Sequence, residues 1–556
     1  MPRTVNPAPV SYQQGHRETF WVADPIGDVA YTVQATLAVV SDNAYWYVDD
    51  TLDLAIEGLQ RAASVFEAEI HPLITGTFGD IWNPGIDNDP RLTILHTALR
   101  GVAGYYGSPD EYPREIHPHS NEREMLYMDG GRLRPGSPQY LGVLTHELQH
   151  AVHWAGDSSE EAWVNEGMSE VAQDLAGYRG DFVNSFLMNP DTQLNYWPDQ
   201  LERSAPHYGA ANLFLSYLAQ HYGGYERLRE LVHEPADGIN GVELYLSPYG
   251  RSFLDVFKEW VVANYLDLSE GPFGYPDRRV RVRDVLPWAV YGEINQTLSQ
   301  FATHYVDLRL QDGDALIGFH GESQVAQFGA RCHSGRYCWW GNRGDSIDST
   351  LTRRLDLSGV KDATLEFWTW FSLEEDWDYA YVEISADGGD TWDILEGKHT
   401  TSENPVGNNF GHGFTGSSQG WVQEKIDLSP YAGGIVLLRF EYVTDDTVYL
   451  DGFLIDDIAV PGLDLFDDAE GDHGWQAEGF VRTDNALPQD YLVQVIEERA
   501  DGEVSVRDMS LDKNRSGQIL IQGFGSGLDH AVILVSPVTR GTHQPAQYIL
   551  SVSPPQ

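Results

Sequence analysis

A histidine-glutamate-x-x-histidine pattern lies at residues 146–150, in the segment His146-Glu147-Leu148-Gln149-His150. Residues four apart share one face of an α-helix, so His146 and His150 can reach the same metal ion while Glu147 faces a water beside it. Catalytic zinc usually takes three protein ligands and leaves a fourth position open. The spacing therefore indicates a zinc hydrolase that needs one further ligand.

Glu166 is the candidate third ligand, sixteen residues after His150. The chain can end the first helix, turn through 156–159 and begin a second, antiparallel helix that carries Glu166. Glu170 lies one turn further on the same face, where its carboxylate can accept the free N–H of a ligand histidine. The reversed assignment, with Glu170 as ligand and Glu166 as its support, stays open because the two differ by one helical turn.

The mechanism expected of such a site follows from its charges. Zinc acidifies a water, Glu147 takes the proton and passes it to the leaving amine, and one more donor is needed for the oxyanion. His153 lies seven residues after His146 on the same helix, about 10 Å along its axis. We therefore expect His153 to be a packed or supporting histidine and not a ligand.

The segments HELQH (146–150) and WVNEGMSEVAQD (163–174) resemble zincin metallopeptidases that use a glutamate ligand. The hyicolysin-like group is the nearest, and the aminopeptidase group with W-x-N-E-G is more distantly similar. In that second group a tyrosine that opens a later helix stabilises the oxyanion. The segment 206–218 is similar, which makes Tyr208 the catalytic candidate and His207 the fallback. No G-x-M-E-N segment is present, so the resemblance favours an endopeptidase.

A short strand is predicted at 91–96, Arg-Leu-Thr-Ile-Leu-His. In zincins a strand of this kind forms the sheet edge on which an extended substrate pairs. Helical patterns near 160–176, 207–222 and 251–266 predict an α-rich lower subdomain. The first half of the chain is therefore expected to be an α+β zincin-like catalytic domain.

From about residue 299 the sequence pattern changes to short strand-like runs separated by Gly, Asp and Ser, as in β-sandwiches. The segment DYAYVEISADGGDTW (378–392) resembles the jelly-roll, MAM-like module of immune-inhibitor-A-type secreted metallopeptidases. The resemblance implies calcium held by clustered carboxylates, with Asp378, Asp456 and Asp457 as candidates; hairpin or surface acids explain these residues equally well.

The predicted organisation is a disordered tail at 1–18, a catalytic domain at 19–298, a strand segment at 299–325 that completes the last domain, the jelly roll at 326–462 and a C-terminal sandwich at 463–556.

Composition narrows the function classes. Lys and Arg number 35 against 84 Asp and Glu, a net charge of −49, which argues against nucleic acid or an anionic membrane as partner. The excess suits a secreted, salt-adapted or calcium-binding protein, or simply a well-solvated acidic surface.

The two cysteines, Cys332 and Cys338, favour a local disulfide over two free thiols. No apolar run is long enough for a transmembrane helix, and residues 1–9 lack a signal-peptide centre, so a trimmed leader is expected.

Three functions are consistent with these patterns. The leading hypothesis is a secreted zinc endopeptidase that acts on proteins or peptides. The alternatives are an inactive zincin whose β-domains bind glycan or a cell surface, and an aminopeptidase. The leading hypothesis has candidates for every catalytic part: His146, His150 and Glu166 as ligands, Glu147 as base and Tyr208 as oxyanion donor.

Overall fold

The structure, a computed structural model, describes residues 4–24, 26–471 and 474–555. The chain divides into two compact units, and each is described by itself. The first comprises Met1–Gly180, Tyr225–Gly241 and Cys332–Asp484. The second comprises Asp181–Gly224, Val242–Arg331 and Asn485–Gln556.

The described part of the chain contains nine α-helices, and a π-helical turn, Phe66–Ile70, joins the first two. Within the residues described, none of these helices has the length and apolarity needed to cross a membrane. Their bounds are α1 Ile56–Val65, α2 His71–Phe78, α3 Pro138–Gly156, α4 Ala162–Leu175, α5 Phe182–Met188, α6 Leu201–His221, α7 Leu228–Val232, α8 Gly238–Leu246 and α9 Phe253–Leu266.

The strands up to residue 129 are interspersed with helices, whereas from residue 286 onward the described residues contain strands with no α-helix between them. In chain order they are β1 Arg17–Asp24, β2 Val29–Val40, β3 Ala44–Asp49, β4 Leu92–Thr97, β5 Gly104–Tyr106, β6 Met125–Asp129, β7 Leu286–Trp288, β8 Gly292–Leu298, β9 His304–Leu308, β10 Gly313–Gly321, β11 Gln324–Val325, β12 Cys338–Trp340, β13 Asp348–Asp356, β14 Thr364–Ser372, β15 Tyr379–Ser385, β16 Asp393–Ile394, β17 Val422–Asp427, β18 Ile435–Val443, β19 Gly452–Val460, β20 Leu465–Asp467, β21 Gln476–Glu478, β22 Val481–Thr483, β23 Leu487–Pro488, β24 Tyr491–Arg499, β25 Val504–Asp508, β26 Ser516–Phe524, β27 Leu528–Pro537 and β28 Ala546–Ser553.

A six-stranded sheet in the first unit has the order β1-β2-β3-β4-β6-β5. Strands β3, β4 and β6 are parallel, and β5 pairs antiparallel with β6 at the edge. The prediction that 91–96 forms the edge is wrong, because β4 lies between two parallel neighbours and all six of its residues are buried. Fully buried parallel strands show continuous apolar runs, which sequence alone does not distinguish from an edge. The short strand β5 occupies the edge instead.

The N-terminal residues differ from the predicted loose tail. Residues 1–3 lie outside the described part, but the backbone N–H of Val5 donates to the Ile86 carbonyl at 2.7 Å, and Tyr12 packs against the first sheet. Strand β1 already begins at Arg17. Most of the predicted tail is therefore held against the sheet by backbone hydrogen bonds and aromatic packing.

A β-sandwich fills the later part of the first unit. One sheet has the order β17-β14-β19-β12-β22 and the other β16-β15-β18-β13-β21. Strand β14, with the sequence TLEFWTWFS, alternates strictly between buried and less buried positions, as a sandwich strand must. Two closing strands, β21 and β22, lie beyond the predicted boundary at 462. They are three residues long, too short for a pattern to reveal them. Cys332 and Cys338 form a disulfide at the start of this sandwich.

The second unit combines helices with a nine-stranded sheet. The main path of the sheet is β25-β24-β27-β26-β10-β28-β8, and β9 pairs with β27. Strands β9 and β10 thus join the strands that follow residue 485. The sheet also takes in β7 and β8, which precede the predicted boundary at 299.

Candidate metal centre

Helix α3 carries both histidines of the motif. It begins after Ser137, whose side-chain oxygen accepts the Tyr140 N–H, and Pro138 occupies the first helical position, where no N–H is needed. Tyr140, Leu144 and Leu148 are fully buried and anchor one side of the helix in the core. This packing fixes the rotation of α3 and therefore the direction of its polar face.

Helix α4 runs beside α3 and presents Glu166 to both histidines. The Oε2 atom of Glu166 lies 3.1 Å from Nε2 of His146 and 3.5 Å from Nε2 of His150. Candidate ligand atoms from these three residues lie within 4.8 Å of one another. Two imidazole nitrogens and one carboxylate oxygen, with space for a fourth ligand, are the donor set that catalytic zinc uses. The residues therefore fit a zinc ion.

The remaining nitrogen of each histidine has its own partner on α4. Nδ1 of His146 lies 3.3 Å from Glu170 Oε1. Nδ1 of His150 lies 2.9 Å from Asn165 Oδ1 and 3.2 Å from Ser169 Oγ. Because the Nδ1 atoms bond to these groups, both Nε2 atoms are directed towards Glu166, which orients them for a shared metal. Asn165 and Ser169 are absent from the sequence prediction, although Asn165 directly precedes Glu166 in the WVNEG segment.

The charges of the centre depend strongly on one another. Burial would raise the pKa of Glu166, but the two histidines outweigh it and hold that pKa well below its usual value. Burial would lower the pKa of His146, but hydrogen bonds to Glu166 and Glu170 raise it well above its usual value. The carboxylates of Glu166 and Glu170 thus favour a positive charge on the histidines between them. A divalent cation supplies such charge when it displaces the protons.

Glu147 is buried at the boundary between α3 and the edge strand β5. Burial raises its pKa above the usual value, while the charges of His146 and His150 and the backbone N–H of Tyr106 oppose the rise. Gly104 of β5 approaches so closely that a Cβ atom there would lie 3.2 Å from Cγ of Glu147 and 2.8 Å from the Tyr127 carbonyl. The edge strand therefore runs directly past the candidate base.

His153 lies in the core and outside this cluster. It is fully buried, its Nδ1 lies 3.5 Å from the Gln149 side-chain nitrogen, and burial lowers its pKa to about 3. A neutral, packed imidazole matches the expectation for this residue.

Tyr208 and His207 belong to helix α6 of the second unit. Tyr208 is not at the start of its helix, because α6 begins at Leu201 and includes Pro206. Its ring stacks on Phe182 with centroids 4.7 Å apart and meets Trp197 edge-on at the same distance. Nδ1 of His207 lies 3.1 Å from the Gln193 carbonyl. The role of Tyr208 in oxyanion stabilisation stays a prediction.

The sandwich of the first unit holds a second group of potential metal ligands. Oxygen atoms of Glu374, Asp378 and Asp445 lie within 4.8 Å of one another. The other two predicted calcium ligands lie outside this group and have hydrogen-bond partners within the protein. Asp456 accepts the Ser334 N–H at 3.0 Å, and Asp457 lies 2.7 Å from Nδ1 of His333. The three predicted calcium residues are therefore not one site, and only Asp378 belongs to the carboxylate group.

Comparison with known families identifies this sandwich. Residues 323–485 match the family described as "Immune inhibitor A-like, MAM domain". The match begins three residues before the predicted module and continues past 462 to include β21 and β22, which pair with β13 and β12. The sandwich of the first unit is therefore an immune-inhibitor-A-like MAM domain, called the MAM domain below.

Similar proteins share short stretches with this chain. A pre-pro-metalloprotease, PrtV, of Vibrio cholerae is 32% identical over 157 residues, which cover 28% of this chain and 16% of the relative. Immune inhibitor A of Bacillus thuringiensis subsp. alesti is 31% identical over 152 residues, which cover 26% of this chain and 21% of the relative. Bacillopeptidase F of Bacillus subtilis is 28% identical over 96 residues, 17% of this chain and 6% of the relative. The matched stretches span less than a quarter of each relative's length.

The two glutamates of α4 can be distinguished by zinc affinity. We expect Glu166→Ala to weaken zinc binding most, because it removes a ligand, and Glu170→Ala to weaken it by about 10–100-fold, because it frees the His146 ring. Competition with a chromophoric chelator measures both values. Glu57→Ala, an exposed acid of α1, is the matched control. A larger loss for Glu170→Ala than for Glu166→Ala would reverse the assignment.

Proposed function

We propose that this protein is a zinc-dependent endopeptidase. The observation that carries the proposal is the largely buried cluster of His146, His150 and Glu166, with Glu147 next to His146 on α3 and Glu170 at Nδ1 of His146. The similarity to a metalloprotease through the MAM domain supports the same class. Ligands, base and supporting groups are all present, which favours an active enzyme over an inactive binding protein.

The proposed mechanism assigns a task to each residue. A zinc ion held by His146, His150 and Glu166 would supply Lewis-acid polarisation of the scissile carbonyl and lower the pKa of the attacking water. Glu147, next to both histidines on α3, accepts the proton of that water and delivers it to the leaving nitrogen. Asn165, Ser169 and Glu170 hold the two imidazoles in position.

The substrate is proposed to be an extended peptide that pairs with β5. This strand is the sheet edge beside Glu147, and an edge strand offers unpaired backbone groups to a second strand. A peptide paired along this edge can extend past Glu147 in both directions, so a peptide bond in the interior of a substrate can reach the candidate base. We therefore propose endopeptidase action, with aminopeptidase action as the alternative.

The proposed location is extracellular. The Cys332–Cys338 disulfide is typical of an oxidising compartment, and an acidic excess of 49 charges suits a solvated extracellular surface. The sandwiches are proposed to aid stability or attachment to a glycan or cell surface.

Substitution of the base tests the proposal. We expect Glu147→Gln to keep one zinc per chain and to lower the cleavage of an internally quenched, N-blocked peptide by at least about 1,000-fold, since the side chain can no longer accept a proton. Metal analysis and peptide fluorescence measure the two quantities, with Glu57→Gln as the control. Full metal content with equal cleavage in both proteins would refute the role of Glu147. Cleavage only of peptides with a free amino terminus would favour the aminopeptidase.

We also propose that the MAM domain binds calcium at Glu374, Asp378 and Asp445. Asp378 is fully buried, and burial together with the neighbouring Asp445 raises its pKa well above the usual value. Buried carboxylates are costly unless a proton or a cation neutralises them, and calcium prefers oxygen ligands.

A calcium-dependent thermal midpoint tests this assignment. We expect calcium to raise the unfolding midpoint of the wild type, and Asp378→Asn and Asp445→Asn to reduce that increase, because each removes a charged ligand. Asp456→Asn is the matched control, since this acid already accepts the Ser334 N–H. If Asp456→Asn removed the calcium effect while Asp378→Asn kept it, the proposed site would be wrong.

A further inference from the structure

Helix α4, which carries Glu166, begins without a cap from its own sequence. Glu161 occupies the position before the helix, and its side chain makes no capping hydrogen bond. No acidic residue lies in the first turn. The first N–H groups of a helix have no partner inside it, and an uncapped end of this kind frays readily.

The missing cap comes from the MAM domain. Oδ2 of Asp345 accepts the backbone N–H of Ala162, the first residue of α4, at 2.7 Å across 183 residues of sequence. Asp345 is only 6% exposed, and its second oxygen, Oδ1, has no hydrogen-bond partner among the described residues. Burial of a carboxyl group is unfavourable unless it gains a specific partner. The contact with α4 is the partner that accounts for an aspartate at this position.

The loop that presents Asp345 is itself held in place. The Ser346 N–H donates to the Asp445 carbonyl at 2.5 Å, and the Thr444 hydroxyl donates to the Gly344 carbonyl at 2.8 Å. The Ser346 hydroxyl lies 3.4 Å from the Ser158 carbonyl in the connection between α3 and α4. The loop therefore packs on the segment that contains Asp445, and it contacts the first residue of α4 and the connection between α3 and α4.

Glu166 lies about one helical turn, or about 6 Å along the axis, from this cap. Asn165, which orients His150, is within the same turn. Fraying of the first turn would therefore displace the candidate ligand and a residue that supports another ligand. Within the proposed zinc site, a cap at Ala162 acts on the geometry of two of the three ligands.

We infer that Asp345 of the MAM domain is a positioning residue for the metal centre: by capping α4 at Ala162, it holds Glu166 and Asn165 in the arrangement that binds metal. The MAM domain then helps to position the metal ligands, in addition to any role in attachment. The inference rests on the proposed function only in taking Glu166 as a ligand.

Two substitutions break the contact from opposite sides. Asp345→Ala removes the acceptor. Ala162→Pro removes the donor; proline is favoured at a first helical position, and Glu161 already has the extended backbone that precedes proline (φ −57°, ψ 137°). Asp345→Asn keeps an acceptor oxygen and is the conservative rescue. Asp362→Ala, an exposed aspartate of the same domain, is the matched control.

Hydrogen exchange of the metal-free, full-length chain gives the first readout. We expect the amides of 163–166 to exchange about fivefold to tenfold faster in Asp345→Ala than in the wild type, since loss of a cap opens the first turn. Asp345→Asn and Asp362→Ala should exchange like the wild type. This readout needs no metal, so it tests the cap even if zinc does not bind.

Zinc affinity gives the second readout. We expect about tenfold weaker binding in Asp345→Ala and wild-type binding in Asp345→Asn. Ala162→Pro should give a smaller loss, because it breaks the link to Asp345 while its ring preorganises the first turn. If Asp345→Ala does not fold, Ala162→Pro carries the test. Wild-type exchange and wild-type zinc affinity in the folded variants would overturn the inference. Absence of zinc binding in the wild type would instead refute the proposed function, while exchange still decides the cap.

Discussion

The arrangement of this protein's first unit depends on the pairing of two imidazoles and two carboxylates across α3 and α4. His146 contacts Glu166 and Glu170 through its two nitrogens, and His150 shares Glu166 with it. All four groups are largely buried, where an unpaired charge is very costly. The pairing holds only if both helices keep their rotation and their relative register. The packing of α3 and the cap of α4 therefore serve the same requirement.

The MAM domain and the helices α3 and α4 belong to one compact unit. A helix of fourteen residues that must hold a ligand in its second turn gains from a cap at its first residue. Asp345 supplies this cap from a loop that is tied to Asp445, a member of the second carboxylate group. Two acidic regions of the chain, one proposed for zinc and one for calcium, are thus connected by a few hydrogen bonds. Part of the large acidic excess therefore lies in these two groups of potential metal ligands.

The sequence allowed the local features of the site to be predicted. Helical periodicity predicted His146, Glu147 and His150 on one helix, and the WVNEG segment predicted Glu166 on a second helix, with Glu170 one turn further on. The structure brings these residues together, with Glu166 between the two Nε2 atoms and Glu170 at Nδ1 of His146. These features were predictable because each depends on spacing within one helix or across one turn.

Features that depend on distant contacts were not predictable in this way. The sequence pattern predicted the edge strand at β4, whereas the edge is β5. A strand's position within a sheet depends on neighbours elsewhere in the chain, which its own sequence does not reveal. The end of the MAM domain was placed too early because its closing strands, β21 and β22, are too short to show alternation. Asp345 could not be recognised at all, since its partner lies 183 residues away. Asn165 is an intermediate case: its position was visible, but its bond to His150 depends on how the two helices pack.

Anomalous diffraction at the zinc edge, from crystals of the full chain grown with zinc, tests the central claim most directly. The account predicts one strong peak between α3 and α4, about 2.0–2.2 Å from Nε2 of His146, Nε2 of His150 and a carboxylate oxygen of Glu166, with Glu170 in contact with His146 only. A peak coordinated by Glu170 in place of Glu166, or no peak between these helices, would contradict it.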